Sequence, residues 1–316
     1  MFWYVIILLI IVILFICSKK KESFENIISV LNDSAGFYSQ FFFTLNHYIY
    51  CKKNSKNFTI NSDKWLFKSN VGWNDYFKPT ELKFYKGTDD NYYSHNNTIE
   101  DYSISEYKEN IPNIYIYNEK TEHEINKIKN KFQLIDKNYD SIFIRRGDKL
   151  IEESDYINEN KYIELLLNKN PHCNKIFLQT DDYNCYLNLK DYIKNNNLNI
   201  EIYTLCDKNM VGVVVKDDQK ELLKNTTKNS EYLNKIRDDL NKTKSVEKMN
   251  SDEKYKHVID MIVGIDLVCN SNICITDYQS NVSRFIKLYH TNPENVYDID
   301  NTQIDYNKKI CPAYSF

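Results

Sequence analysis

The 316-residue sequence predicts an α/β protein of two domains with parallel sheets, preceded by an apolar N-terminal helix. Three observations predict it. The length exceeds the roughly 100–150 residues usual for one domain. The second half alternates short apolar runs with segments of helical period, the order that a parallel sheet with crossover helices requires. Residues 2–17, FWYVIILLIIVILFIC, form an unbroken apolar run.

That run is read as a single membrane anchor. No basic stretch precedes it and no small-x-small cleavage pattern follows, so it does not match a removed signal peptide. Lys19, Lys20 and Lys21 come directly after it, and by the positive-inside rule they put the folded part in the cytosol. The expected units are 1–22, anchor and basic flank; 23–135, an N-terminal α/β domain; and 136–316, a C-terminal α/β domain.

In the first of these domains, residues 36–52 place Phe37, Phe41, Leu45, Tyr48 and Ile49 along one face at helical spacing. A strand is expected at 57–61, a polar Tyr/Asn-rich section at about 86–110 and a helix at 119–132. The second half reads strand 141–145, helix 159–168, strand 175–179, helix 183–195 and strand 199–204. A charged stretch follows at 216–256, then helix 257–269, strand 272–276 and helix 281–290.

Lys+Arg (41) and Asp+Glu (44) nearly balance, for a net charge of −3 without a long basic block, which argues against a nucleic-acid binder. The cysteines show no CxxC pair, so no zinc site is expected and the thiols read as mostly free and buried. Asn-x-Ser/Thr sequences, among them those at Asn57 and Asn225, arise readily in so Asn-rich a chain.

Ligands of parallel α/β sheets bind at the carboxyl ends of the strands. Three clusters fall there: Arg145, Arg146, Gly147 and Asp148; Thr180, Asp181 and Asp182; and Thr276 to Ser280. Two adjacent arginines of an extended strand point to opposite sides, but Gly147 permits a turn that lets one fork grip a diphosphate while the other orders the loop through Asp148. Ser280, Asn281, Ser283 and Arg284 open a helix, where free amides and hydroxyls favour an anion. Read singly, these are also an Arg–Asp surface network and an ordinary helix cap.

Five segments in order resemble the core α-1,6-fucosyltransferases and their rhizobial relatives. RRGDK (145–149) resembles an RRTDK-type motif, QTDDYNCYLNLK (179–190) an ATDD-plus-helix segment, and TDYQSNVSR (276–284) a T-x-SS-x-V-x-R segment. GFYSQFFFTLNH (36–47) resembles G-x-G-x-Q-x-x-H, and WLFKSNVGWNDYFKP (65–79) resembles W-x-x-x-x-GW-x-x-x-F-x-P. The resemblance implies a GT-B glycosyltransferase, two Rossmann-like domains with the acceptor on the first, that transfers fucose from GDP-fucose to a glycan or glycoprotein with inversion and without a metal or other cofactor.

Carried over by position, Arg145 and Arg146 would hold the diphosphate, supported by Asp148 and Lys149, and Glu153 would be the base. Thr180, Asp181, Asp182, Ser280, Asn281, Ser283 and Arg284 would line the nucleotide pocket, with Gly36 and Gln40 from the first half. Asp260 and Asp266 compete for the acid that reads the base. Family habit places such an enzyme in the lumen of Golgi- or ER-type membranes, against the lysine argument, and both orientations stand. The chain departs from the pattern at Tyr38 (a glycine in the family), at Gly147 (a threonine) and by one extra residue before Ser280; no SH3-like domain or coiled-coil stem is evident. A protein O-fucosyltransferase, another GT-B nucleotide-sugar enzyme, and a tethered binding protein without turnover are the alternatives.

Overall fold

The protein is described here from a computed structural model, covering residues 26–33, 35–83, 102–135, 137–148, 150, 156–214, 216–226, 230–240 and 244–299. The expected anchor at 2–17, Lys149 and Glu153 lie outside the described residues. Among the described residues, no helix is long and apolar enough to cross a membrane.

The fold is α/β with two parallel sheets. In the first half, β1 (Asn26–Val30) pairs in parallel with β2 (Asn57–Asn61) across helix α1 (Phe37–Lys53). Helices α2 (Ile104–Ile114) and α3 (Glu119–Phe132) follow. The expected polar section thus gives way to a helix from 104 onward; Pro112 within it masks the helical pattern, while a capping box of Ser103 and Glu106 starts it. In the second half come β3 (Asp140–Ile144), α4 (Glu159–Lys169), β4 (Lys175–Thr180), α5 (Tyr183–Asn195), β5 (Glu201–Thr204), α6 (Asp218–Asn225), α7 (Ser230–Leu240), α8 (Ser251–Cys269), β6 (Cys274–Thr276), α9 (Asn281–Tyr289) and β7 (Val296–Asp298). The sheet order is β5-β4-β3-β6-β7, all neighbours parallel. The direction of winding reverses between β3 and β6, the switch point where such folds bind ligands.

Alternation along the strands sorts the core into two faces. Ile142, Ile144, Ile176, Leu178 and Ile275 pack with α4 and α5; Phe143, Phe177 and Cys274 face the side of α8 and α9. The larger cluster continues without a break from that face into the first half. Tyr38 and Phe41 of α1 lie 4.7 Å and 5.3 Å from Phe285 of α9, and Tyr115 lies 5.3 Å from Tyr289. Tyr38, where the family has glycine, is therefore an interface residue whose hydroxyl meets that of Tyr115 at 2.8 Å. One core crosses the expected boundary at residue 135.

The W-x-x-x-x-GW segment is a folding device. The Asp75 carboxylate accepts from the backbone N–H groups of Ser69, Asn70, Val71 and Gly72 at 2.9–3.0 Å. Gly72 has φ of +92° and its Cα abuts Ser62, so a Cβ has no room. Five of the described cysteines are buried and Cys206 is partly exposed; none of the six is in a disulfide.

At the end of α9 the buried His290 imidazole accepts the Asn292 N–H on Nδ1 at 2.9 Å, which leaves its proton on Nε2, 3.4 Å from Ser271 Oγ. Burial lowers its pKa from 6.5 to about 4. A histidine depressed in the folded state contributes stability above its unfolded pKa and loses it as pH falls through the window from 6.5 toward about 4. Urea unfolding at pH 7 and pH 4.5 is expected to show a loss that His290→Gln reduces, by at most roughly 3 kcal/mol.

Candidate functional site

The alternation that divides the core also divides the two doubled motifs. Arg145 follows Phe143 toward α8, and Asp181 follows Phe177 and Gln179 to the same side; Arg146 and Asp182 turn to the α4–α5 side. Residues of β3 and β4 pair one to one, with Ile144 opposite Thr180, so the pairs emerge side by side.

Arg146 is 1 % exposed. Its Nη2 donates to Glu159 Oε1 at 2.7 Å and to the Ile157 carbonyl at 2.6 Å, and Tyr156 lies 4.7 Å from the guanidinium. Glu159 also accepts from Asn188 at 3.0 Å, and its carboxyl is held below the usual range by Arg146 against the upward push of burial. Arg146 therefore does not join Arg145 on a shared phosphate. Asp182 is likewise buried: it caps α5 by accepting Asn184 N–H at 2.9 Å and receives the Tyr232 hydroxyl at 2.8 Å. Thr180 is buried beside it, accepting the Asp182 N–H at 3.2 Å. The expected pocket-lining roles of Asp182 and Thr180 are replaced by roles in the turn.

On the other face, Arg145 spans two carboxylates: Nη2 donates to Asp148 at 2.7 Å and Nη1 to Asp181. Asp181 also accepts the Arg146 N–H at 2.8 Å and the Val213 N–H at 3.2 Å. The turn is crossed at its back by the segment 211–214, where Gly212 Cα lies against Gly147; a Cβ on Gly147 would meet Val213 O at 2.3 Å. Glycine at both crossing points, with φ of +65° and +93°, admits the contact. This accounts for Gly147 in the family's threonine position. The apolar, β-branched run VGVVV at 211–215, set inside polar surroundings, is the sequence signal for the crossing segment.

Helix geometry separates Asp260 from Asp266. Gly264 of α8 packs directly on Gln179 of β4. Asp266 lies about 200° further around the helix, facing away from the sheet, where it pairs with Lys129 of α3 at 2.7 Å and accepts from Asn270 at 3.2 Å. Asp260 lies within about 40° of Gly264 and about 6 Å nearer the carboxyl edge, paired with Lys256. Burial raises its pKa. Of the two, Asp260 lies on the face of α8 that Gly264 turns to the sheet. Sequence reasoning missed His257, one turn earlier on the same face.

Across the switch point, Ser280 caps α9 by accepting the Ser283 N–H at 3.1 Å, while the buried Ser283 hydroxyl joins Ser280 at 2.9 Å and Thr276 at 3.0 Å. Asn281 donates to Ser39 of α1 at 2.6 Å and accepts from Arg284 at 3.1 Å. The first turns of α1 and α9 thus meet, and neither carries an acidic residue. Gly36 begins α1 with no side-chain cap and open space where a Cβ would stand. Gln40 shapes that start: its amide accepts the Asn32 N–H at 2.8 Å and donates to the Asn32 and Ala35 carbonyls at 2.9 and 2.7 Å, which uses both of its N–H groups internally rather than on a ligand.

Replacing Arg146 with Met strands the buried Glu159 carboxylate and is expected to cost about 3–5 kcal/mol in urea unfolding, much of it recovered by adding Glu159→Gln.

No family model and no curated protein matches the chain. Among solved structures, the chain is similar in fold to one described as the crystal structure of NodZ α-1,6-fucosyltransferase soaked with GDP-fucose, with a TM-score of 0.50 and 9% sequence identity over 84% of this chain and 92% of that one.

Proposed function

We propose that the chain is a glycosyltransferase that transfers fucose from GDP-fucose to a hydroxyl of a glycan or glycoprotein, held at an internal membrane by residues 2–17. The observation that carries the reading is that Arg145 follows β3, the strand paired with β6 at the switch point, while the first turn of α9, the helix after β6, meets that of α1 through Asn281 and Ser39. The likeness in fold to the NodZ structure supports it.

Sugar transfer from a nucleoside diphosphate needs stabilisation of the charge that grows on the leaving phosphate. Helix amides at the start of α9, Arg284 and the Arg145 guanidinium are the groups of this chain suited to that work. Asp148 and Asp181 hold the guanidinium in place before a ligand arrives, so little ordering remains to be done on binding. Asp260 is suited to accept the N–H groups of the base. Glu153, the proposed base, would take the proton of the acceptor hydroxyl during an inverting attack, and Lys149 would support the diphosphate. Arginine and helix amides supply the charge a divalent ion supplies elsewhere, so the reaction is proposed to run without metal.

A second reading is favoured by one observation. Arg145 already balances two carboxylates, which suits a nucleotide-binding protein that holds its ligand without turnover.

The test uses the detergent-solubilised full-length chain with GDP-fucose and a panel of glycan acceptors. Fucose transfer and GDP release are expected, unchanged in excess EDTA; binding without transfer establishes the second reading, and transfer that EDTA abolishes and Mn²⁺ restores removes the metal-free scheme. Arg145→Lys keeps the charge but loses the fork, and is expected to weaken GDP-fucose binding by about tenfold in calorimetry.

A further inference from the structure

His257 stands in no motif of the sequence, yet helix geometry puts it in the crevice. Counting from Gly264, whose Cα rests on Gln179, seven residues toward the start of α8 return to within about 20° of the same face and rise about 10 Å. Gln179 is the penultimate residue of β4, so this face of the helix overhangs the strand ends at the level of the turn that carries Arg145 and Asp181. Side chains of a helix lean toward its start, which carries the imidazole further over the edge.

The charges around it are unequal. From its own helix come Lys256 and Asp260, joined to each other. From the end of β3 comes Arg145, tied to Asp148 and Asp181. Cys206 and Asp207 from beyond β5 interact with Asp260, as does Glu124 of α3. Burial, Arg145 and Lys256, in that order, lower the pKa of His257 from 6.5 to about 4. The residue as a whole is partly exposed.

We propose that His257 is a second cationic partner for the diphosphate of a nucleotide sugar, taking up a proton only when that anion occupies the Arg145 corner. This rests on the donor reading above. The physical basis is linkage: two negative charges placed beside Arg145 outweigh its repulsion of the ring and add an attraction for the imidazolium that offsets the cost of burying it, so binding and protonation strengthen one another. The proton comes from solvent, and no covalent bond changes.

GDP-fucose is the probe of choice, because a diphosphate esterified at both ends does not itself titrate near neutrality. Calorimetry of the full-length chain at pH 6, in two buffers of different ionisation enthalpy, is expected to show uptake approaching one proton per ligand. Affinity is expected to fall with rising pH by up to about tenfold per unit where the bound ring titrates. His257→Gln is expected to bind GDP-fucose more weakly at pH 6, with no proton uptake attributable to this site. Tight binding without uptake by the wild-type chain, or uptake that persists in His257→Gln, overturns the proposal and leaves the donor reading intact. Failure of the wild-type chain to bind GDP-fucose at any pH overturns both. The wild-type affinity profile alone decides the matter if the variant does not fold: a flat profile from pH 5 to pH 8 is a refutation.

Discussion

Successive side chains of a strand face opposite ways, and at the carboxyl ends of β3 and β4 this one constraint determines what the rest of the site can be. Arg145 and Asp181 go to the crevice; Arg146 and Asp182 go to the core. Each member of a doubled motif therefore has a separate occupation. The inner pair fastens α4, α5 and α7 to the turn through Glu159, the Asn184 N–H and Tyr232. Burying a guanidinium and a carboxylate together carries a desolvation cost that close geometry offsets only in part. That expense is met at the point where the turn must hold its shape, since the Arg146 backbone N–H is itself bound to Asp181.

The outer pair is an electrostatic balance rather than a bare cationic patch. One guanidinium faces two carboxylates, so the corner carries excess negative charge before any ligand arrives. An incoming phosphate has to share Arg145 with Asp148 and Asp181 or replace one of them. Favourable potential must come from elsewhere, and the start of α9 supplies it: amide groups without intrahelical partners, hydroxyls turned inward to cap them, and Arg284 in the same turn. Specific geometry thus comes from the strand ends, and attraction from the helix.

Much of this was legible in the sequence because it depends on local pattern. The strand at 57–61 and the helix at 119–132 match the expected limits, and the second-half elements lie within two residues of theirs except α8, which starts at Ser251 rather than 257 because its charged first turns hide the pattern. The alternation rule by itself says that Arg145 and Arg146 part company. What the sequence does not carry is the identity of the partners. Nothing near Arg146 announces Glu159, thirteen residues away, as its buried counter-charge. The Gly147–Gly212 crossing joins segments whose contact exists only after the chain folds. Choosing Asp260 over Asp266 needed one fixed point of contact between helix and strand, which Gly264 on Gln179 provides. Pro112 concealed α2 because proline is costly within a helix, a penalty outweighed here by the packing of Tyr107, Ile111 and Ile114 into the core.

The aromatic contacts between α1 and α9 bear on how anything enters or leaves. Enzymes assembled from two separate lobes commonly admit ligands by swinging one lobe about a hinge, on a scale of microseconds to milliseconds. Here such a swing would pull Tyr38 off Phe285, part Tyr115 from Tyr289 and wet a buried tyrosine pair whose hydroxyls are already matched to one another. Those contacts oppose a hinge between the two halves. Traffic through the crevice then falls to side chains and short connecting loops, so the pace of exchange would be set by faster and smaller motions than those of a jaw.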